Sequence, residues 1–393
     1  MIERTLQAPL VALARRYPVV TLTGPRQSGK TTLCRAAFPA KPYLSLEPPD
    51  EREFARSDPR GFLAQVPDGA VIDEVQRVPE LLSYIQQIVD AHPRSGAFVL
   101  TGSQHLGLVD AVTQTLAGRT ALVRLLPLAL DEVRRFPNPP EDLSRLLWTG
   151  GYPRIYDRGL PAGEWLGNYV ATYVERDVRQ VLEVGDLITF QTFLRMAAGR
   201  AGQLLNLSGL GADCGITHAT ARRWISVLEV SYVVFRLPAM HTNVRKRLVK
   251  TPKLYFYDTG LLCYLLGIRT PEQLEVHPLR GAVFECWAVS EIVKFHLHRG
   301  ETPNLSFYRD RKGHEVDLVV EGGPELIAVE LKAGRTAASN VFDALRRFQD
   351  ADEQGRTQRH VVVYGGDVSQ HRTAGDLLSW KDIDSYGWIS GIG

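Results

Sequence analysis

Residues 18–33 read PVVTLTGPRQSGKTTL. The first six, PVVTLT, are rich in β-branched residues and apolar enough for a buried strand. A Gly-rich turn follows, and an alanine-containing helix pattern opens near Lys30. Residues 24–31, GPRQSGKT, therefore fit G-x-x-x-x-G-K-[ST] between a strand and a helix. Each position has a chemical reason. Gly24 and Gly29 let backbone N–H groups converge on phosphate oxygens. The start of the helix adds the positive end of its dipole. Lys30 is spaced to reach the outer phosphates, and the Thr31 hydroxyl to ligate Mg²⁺. Pro25, Arg26, Gln27, Ser28 and Thr32 complete the cradle. A chance Gly-rich turn is the competing reading, and the strand–loop–helix context disfavours it.

Working outward, short apolar runs at 41–46, 70–73, 97–101 and 120–126 alternate with helical patterns such as 79–91. That alternation predicts a parallel α/β sheet. The run AVIDE (70–74) ends in two carboxylates: Asp73 is placed to hold Mg²⁺ and Glu74 to polarise a water for attack on a terminal phosphate. Transfer to a small-molecule acceptor needs no such water-activating group, so the pair favours nucleotide hydrolysis. The run VLTGS (99–103) offers Thr101 and Ser103 as sensors of the phosphate or the water. Arg119 is a candidate charge-stabilising arginine, acting in its own chain or in a neighbouring subunit.

At roughly 150 residues per domain, 393 residues allow two or three domains. Hydrophobic residues at 44% and charged residues at 23% exclude global disorder. No apolar run reaches the ~18 residues of a membrane helix, and MIERTLQAPL lacks a signal-peptide core. The four cysteines are scattered, with no C-x-x-C pair, so neither a disulfide framework nor a zinc site is expected. These features predict a soluble cytoplasmic protein. The net charge of +2 decides little, but basic residues concentrate at 245–253.

The Pro-rich stretch FPNPPED (136–142) reads as a boundary, and 143–201 as helical. Within 202–268, QLLNLSGL (203–210) is a short helix, Gly215 a break, and Thr217 the cap of a second helix. Ala221, Trp224, Ile225 and Leu228 line one face of that helix, with Arg222, Arg223 and Ser226 on the other. Strand runs at 233–237 and 253–257 flank Arg245, Lys246, Arg247 and Lys250. Helix–turn–helix plus a basic hairpin is the pattern of winged-helix DNA readers; a structural or protein-docking subdomain is the alternative.

The last segment predicts a helix (282–297), strands (305–308, 315–320, 326–330), a helix (338–348) and a strand (360–364). Glu285 and Glu291 lie on the first helix, Asp317 on the second strand, and Glu330 and Lys332 share one face of the third. A hairpin at 322–323 returns Glu330 beside Asp317, where two carboxylates could hold a second divalent metal and Lys332 could orient a water. This looks like the D…E-x-K constellation of restriction-endonuclease-like folds. A Lys332–Asp317 or Lys332–Glu330 salt bridge is the plainer alternative.

Taken together, the chain resembles AAA-type P-loop ATPases, specifically bacterial and archaeal ATPases whose C-terminal half is a domain of unknown function. The residues that carry the resemblance are GPRQSGKTTL (24–33), VIDEVQ (71–76), LTGSQ (100–104), LAGRT (116–120) and PLALDE (127–132). It continues through GGYP (150–153), YVERD (173–177), YFYDTGL (255–261) and FYRDRKGHEVDLVVE (307–321). The resemblance implies an α/β, AAA-like P-loop NTPase domain at 1–135 and a helical linker at 136–201. A winged-helix-like domain at 202–268 and a restriction-endonuclease-like domain at 269–393 follow. It implies ATP and Mg²⁺ as cofactors and homo-oligomers, while its later motifs say little about activity; the residue patterns of 202–393 add the expectation that hydrolysis is coupled to DNA through a nuclease-like C-terminal half. The other expectation is a nucleotide-gated switch that docks a protein partner without cleaving DNA.

Overall fold

The computed structural model describes residues 2–103, 112, 114–174, 187–240, 251–310, 312–322, 325–351 and 356–388. Gln104, residues 175–177 and Arg311 of the quoted motifs, Gly323 of the expected hairpin turn, and the basic residues Arg245, Lys246, Arg247 and Lys250 lie outside them.

Strands β1 (Val19–Gly24), β2 (Tyr43–Ser45), β3 (Ala70–Asp73), β4 (Phe98–Ser103) and β5 (Thr120–Arg124) form one sheet in the order β2-β3-β4-β1-β5. Every pairing is parallel. Such a sheet is covered on both faces, which is why β1, β3 and β4 are buried along their whole length. Successive residues serve opposite faces. Ile72 and Phe98 join Phe62, Leu81 and Ile85 in one cluster, while Val71 and Val99 join Leu10, Val20 and Leu33 in the other. Because β4 intervenes between β1 and β3, its end places Thr101 and Ser103 between the phosphate loop and Asp73.

Further along, the helices Leu207–Asp213 and His218–Val230 precede an antiparallel pair, β6 (Val234–Leu237) and β7 (Lys253–Phe256). Asn206 caps the first helix through the Gly209 N–H (2.9 Å), and the Thr217 hydroxyl accepts from Thr220 N–H (3.1 Å). Trp224 is core, edge-on to Phe190 and Phe193. A second sheet contains β8 (Leu305–Arg309), β9 (Glu315–Gly322), β10 (Glu325–Lys332), β11 (Thr357–Tyr364), β12 (Gln370–Arg372) and β13 (Gly375–Ser379), in the order β12-β13-β11-β10-β9-β8. The helix Arg280–Leu297 precedes it, and the helix Asp343–Ala351 links the parallel strands β10 and β11. The helix starts five residues later than expected because turns at Val341 and Asp343 come first. The strands β12 and β13 were not anticipated.

Composition predicts breaks after residues 135, 201 and 268. By contact the chain divides into two compact units: 1–127 with 230–232 and 297–300, and 128–229 with 233–296 and 301–393. Ahead of the Pro-rich stretch, Leu130 N–H already donates to Glu291 (2.8 Å), deep in the second unit. No helix among the described residues is long and apolar enough to cross a membrane.

Candidate nucleotide-binding site

The loop after β1 depends on glycine at two points. A Cβ on Gly24 would collide with the Leu125 carbonyl, and Gly29 has φ +95°. Gln27 (φ 63°) and Glu74 (φ 60°) are non-glycine residues in the left-handed region, at about 1–2 kcal/mol each. Both follow strand ends at the carboxyl edge of the sheet.

Lys30 is buried, and its Nζ donates to the carbonyls of Gly24 (3.0 Å) and Pro25 (2.7 Å). Burial pulls its ammonium down to about 8, against the opposing pull of Glu74 and Asp73. The Thr31 hydroxyl donates to Asp73 Oδ2 at 2.8 Å. Asp73 also accepts from the Thr101 hydroxyl, from Glu74 N–H (3.1 Å) and from the Tyr43 hydroxyl. Thr101 thus serves the carboxylate of Asp73. Burial, then the bond to Asp73, pushes the Tyr43 hydroxyl up to about 12, while the Arg35 guanidinium lies 3.9 Å over its ring. Glu74 Oε2 accepts from Ser103 Oγ (3.4 Å) and from Gln76, whose amide also reaches Ser103 Oγ at 3.2 Å. Tyr43 and Gln76 escaped the sequence reading. Tyr43 acts only because β2 lies beside β3, and Gln76 only because the chain turns over at Glu74. Thr31 and Asp73 together are hard oxygen donors of the kind Mg²⁺ takes alongside nucleotide phosphates.

Arg119 requires a correction. Its carbonyl accepts from Val19 N–H (3.2 Å), at the start of β1, and its guanidinium pairs with Asp90 at 2.5 and 2.9 Å. It therefore sits at the amino edge of the sheet, about 16 Å of strand away from the loop. In its own chain it is an ion-pair residue.

The hairpin of β9 and β10 pairs Val329 with Leu318, a register that continued by one residue sets Glu330 opposite Asp317. The expected convergence of carboxylates is therefore present, but a cation already lies among them. Lys253 of β7, its side chain 4% exposed, reaches Glu285 (3.0 Å), Glu315 (2.5 Å) and Asp317 (3.9 Å). The Tyr255 hydroxyl donates to Glu285 (2.6 Å), Leu331 N–H to Asp317 (2.9 Å), and Lys332 to Glu330. Burial, with Glu330 and Glu285 close by, pushes the Asp317 carboxyl up to about 8 although Lys253 opposes it. Glu291 is elsewhere, paired with Lys294 at 2.9 Å. Among the described residues no group of three or more His, Cys, Asp or Glu is arranged to hold a metal ion. At the expected second divalent-metal site of Asp317, Glu330 and Lys332, the ammonium of Lys253 lies 3.9 Å from Asp317, and Lys332 pairs with Glu330.

Two later motifs prove to hold each other. Asp258 of YFYDTGL accepts from Gly151 N–H (2.6 Å) and Leu261 N–H (2.8 Å), and a Cβ on Gly150 would strike its carboxylate. Their role is packing.

Residues 16–134 match the model described as AAA domain. Residues 140–272 match Domain of unknown function (DUF8612), and residues 280–383 match Domain of unknown function (DUF4143). The chain is 31% identical over 369 residues to uncharacterized protein Mb2031c of Mycobacterium bovis and, at the same level, to uncharacterized protein Rv2008c of Mycobacterium tuberculosis. Each match spans 93% of this chain and 80% of the relative. Among solved structures, the Walker-type ATPase paby2304 of Pyrococcus abyssi is similar at 16% identity and TM-score 0.46, over 66% of this chain and 94% of that one. AMPPCP-bound DnaA from Aquifex aeolicus is similar at 15% identity and TM-score 0.29, over 57% and 85%.

Proposed function

This chain belongs to the family of the mycobacterial proteins Mb2031c and Rv2008c and carries an AAA-type ATPase domain, and on that premise we propose that its first unit binds ATP with Mg²⁺ and hydrolyses it. The observation that carries the reading is the 2.8 Å bond between Thr31 and Asp73, which joins the phosphate loop to the acidic end of β3. Lys30 exchanges its two carbonyl partners for phosphate oxygens, a stronger, charge-assisted pairing. Thr31 and Asp73 would hold Mg²⁺, which when bound supplies positive charge to the phosphate oxygens. Glu74 orients and polarises the attacking water. Ser103 and Gln76 hold its carboxylate in place. Retention of labelled ATP with Mg²⁺ tests this directly. Lys30→Ala abolishes retention, whereas Glu74→Gln keeps it and slows turnover by about 10²–10⁴-fold. Equal turnover in parent and both variants sinks the reading.

For the second unit, the reading supported best is DNA contact without cleavage. Arg222 and Arg223 are exposed on the His218–Val230 helix, where clustered cations can meet phosphates. Lys253 pairs with Glu285 and Glu315 and sets a positive charge 3.9 Å from Asp317, one of the two carboxylates a nuclease would need for metal. Fluorescence anisotropy of duplex DNA tests it: Arg222→Glu with Arg223→Glu weakens binding, and cleaved product from clean protein overturns it. No DNA binding at any salt favours the other reading, a nucleotide-gated adaptor for a protein partner.

A further inference from the structure

Arg4 precedes the Gln7–Ala14 helix and is 7% exposed. Its Nη1 donates to the Ser28 carbonyl at 2.7 Å, inside the phosphate loop, and its Nη2 to the Leu126 carbonyl at 2.9 Å, just beyond β5. We propose that Arg4 is a positioning residue of the nucleotide site: it fixes the Ser28–Gly29 peptide so that the Gly29 N–H faces the phosphates. The inference rests on the nucleotide-binding reading of this unit.

The argument is one of peptide geometry. In a trans peptide the C=O and the N–H lie in one rigid plane and point in opposite directions. Holding the Ser28 carbonyl on a guanidinium therefore turns the Gly29 N–H the other way. The backbone around this plane offers little resistance to its turning over. Gly29 (φ 95°) follows the plane, and glycine accepts either hand. A flipped plane would aim a carbonyl at an anion. Lys30 cannot do this work, because its own carbonyl partners are Gly24 and Pro25 and it must leave them to meet phosphate. The planar fork of Arg4 instead reaches Ser28 and Leu126 through two different nitrogens held in one fixed geometry, whereas an ammonium is a single point of rotatable donors. Its Nη1 also lies 3.5 Å from where a Cβ on Gly29 would sit, so the guanidinium packs directly beneath that residue.

The test uses the full chain as parent, Arg4→Gln and Arg4→Lys, with ATP, adenosine and inorganic tripolyphosphate in Mg²⁺. Isothermal titration gives affinity, melting gives stability, and the ¹⁵N-labelled Gly29 amide reports its own orientation. Arg4→Gln weakens ATP and tripolyphosphate by about 10- to 100-fold, leaves adenosine unchanged, and removes the shift of the Gly29 amide on ligand addition. Arg4→Lys keeps the charge, loses the fork and recovers only part; it carries the test alone if Arg4→Gln does not fold. Affinities that match the parent, or that fall only in step with melting temperature while the Gly29 amide still responds, overturn the inference. A parent that binds tripolyphosphate with this Arg4 dependence but not ATP refutes the ATPase reading and keeps the inference. A parent that binds neither refutes both.

Discussion

Lys30 in the loop after β1 and Lys253 on β7 are both buried lysines with carboxylates nearby, yet their hydrogen-bonding partners differ in kind. Lys30 donates to two backbone carbonyls, while Asp73 and Glu74 take their bonds from neutral donors: Thr31, Thr101, Tyr43, Ser103 and Gln76. Lys253 instead bridges Glu285 and Glu315 and faces Asp317. The first arrangement gives the cation only dipoles as hydrogen-bond partners, with Glu74 and Asp73 acting on it through space, and so has something to gain from an anionic ligand. The second closes on itself. A lysine among acidic residues is thus a site or a brace according to which groups the fold sets within 3 Å of its nitrogen.

The sharpest way to break this contrast is to remove each ammonium. Lys253→Met leaves buried carboxylates without their cation and lowers the stability of the chain by about 3–5 kcal/mol, read as a shifted urea midpoint. Lys30→Met removes a poorly compensated buried charge and costs little stability, while it eliminates ATP retention. Equal destabilisation by the two variants would erase the distinction.

A smaller effect comes from Asp317→Asn. The folded carboxyl is raised from 3.8 to about 8, so the stability it contributes is full below pH 3.8 and is lost as pH rises through about 8. Asparagine does not titrate. Melting curves therefore show the variant gaining on the parent across that window, with no gain at its acid end. A parallel pH dependence in the two proteins would mean that Asp317 is ionised throughout.

The mildest test concerns the nucleotide centre. Lys30, lowered to about 8 by burial, is charged below that pH and neutral above it. ATP affinity in the absence of metal therefore declines as pH rises past about 8, by up to about tenfold per unit. Bound phosphate raises the ammonium's pKa, so saturating ATP moves the midpoint upward. An affinity flat from pH 7 to about 10 would place the charge elsewhere.

Much of the nucleotide centre was legible because its parts are local. Strand, loop and helix follow one another within residues 18–33, and the spacing of Gly24, Gly29, Lys30 and Thr31 states its own chemistry. Asp73 and Glu74 were legible for the same reason, as the end of an apolar run. The D…E-x-K spacing was also visible, and the hairpin did bring Glu330 to Asp317, but the cation that occupies the cluster arrives from β7, well before either residue in the chain. Where Arg119 stands was not legible, because a local motif does not say which edge of the sheet an arginine occupies.

The sequence alone determined that a phosphate loop and an acidic strand end exist, since both are written in contiguous residues whose period and glycines admit one local conformation. Only the tertiary structure decided who stands beside them. Strand order inserted β4 between β1 and β3 and set Tyr43 on Asp73, and side chains distant along the chain, Arg4 at Ser28 and Lys253 at Glu285, found their partners across space. Hydrogen bonds and ion pairs act over about 3 Å, and no pattern along a chain records which distant residues will come that close.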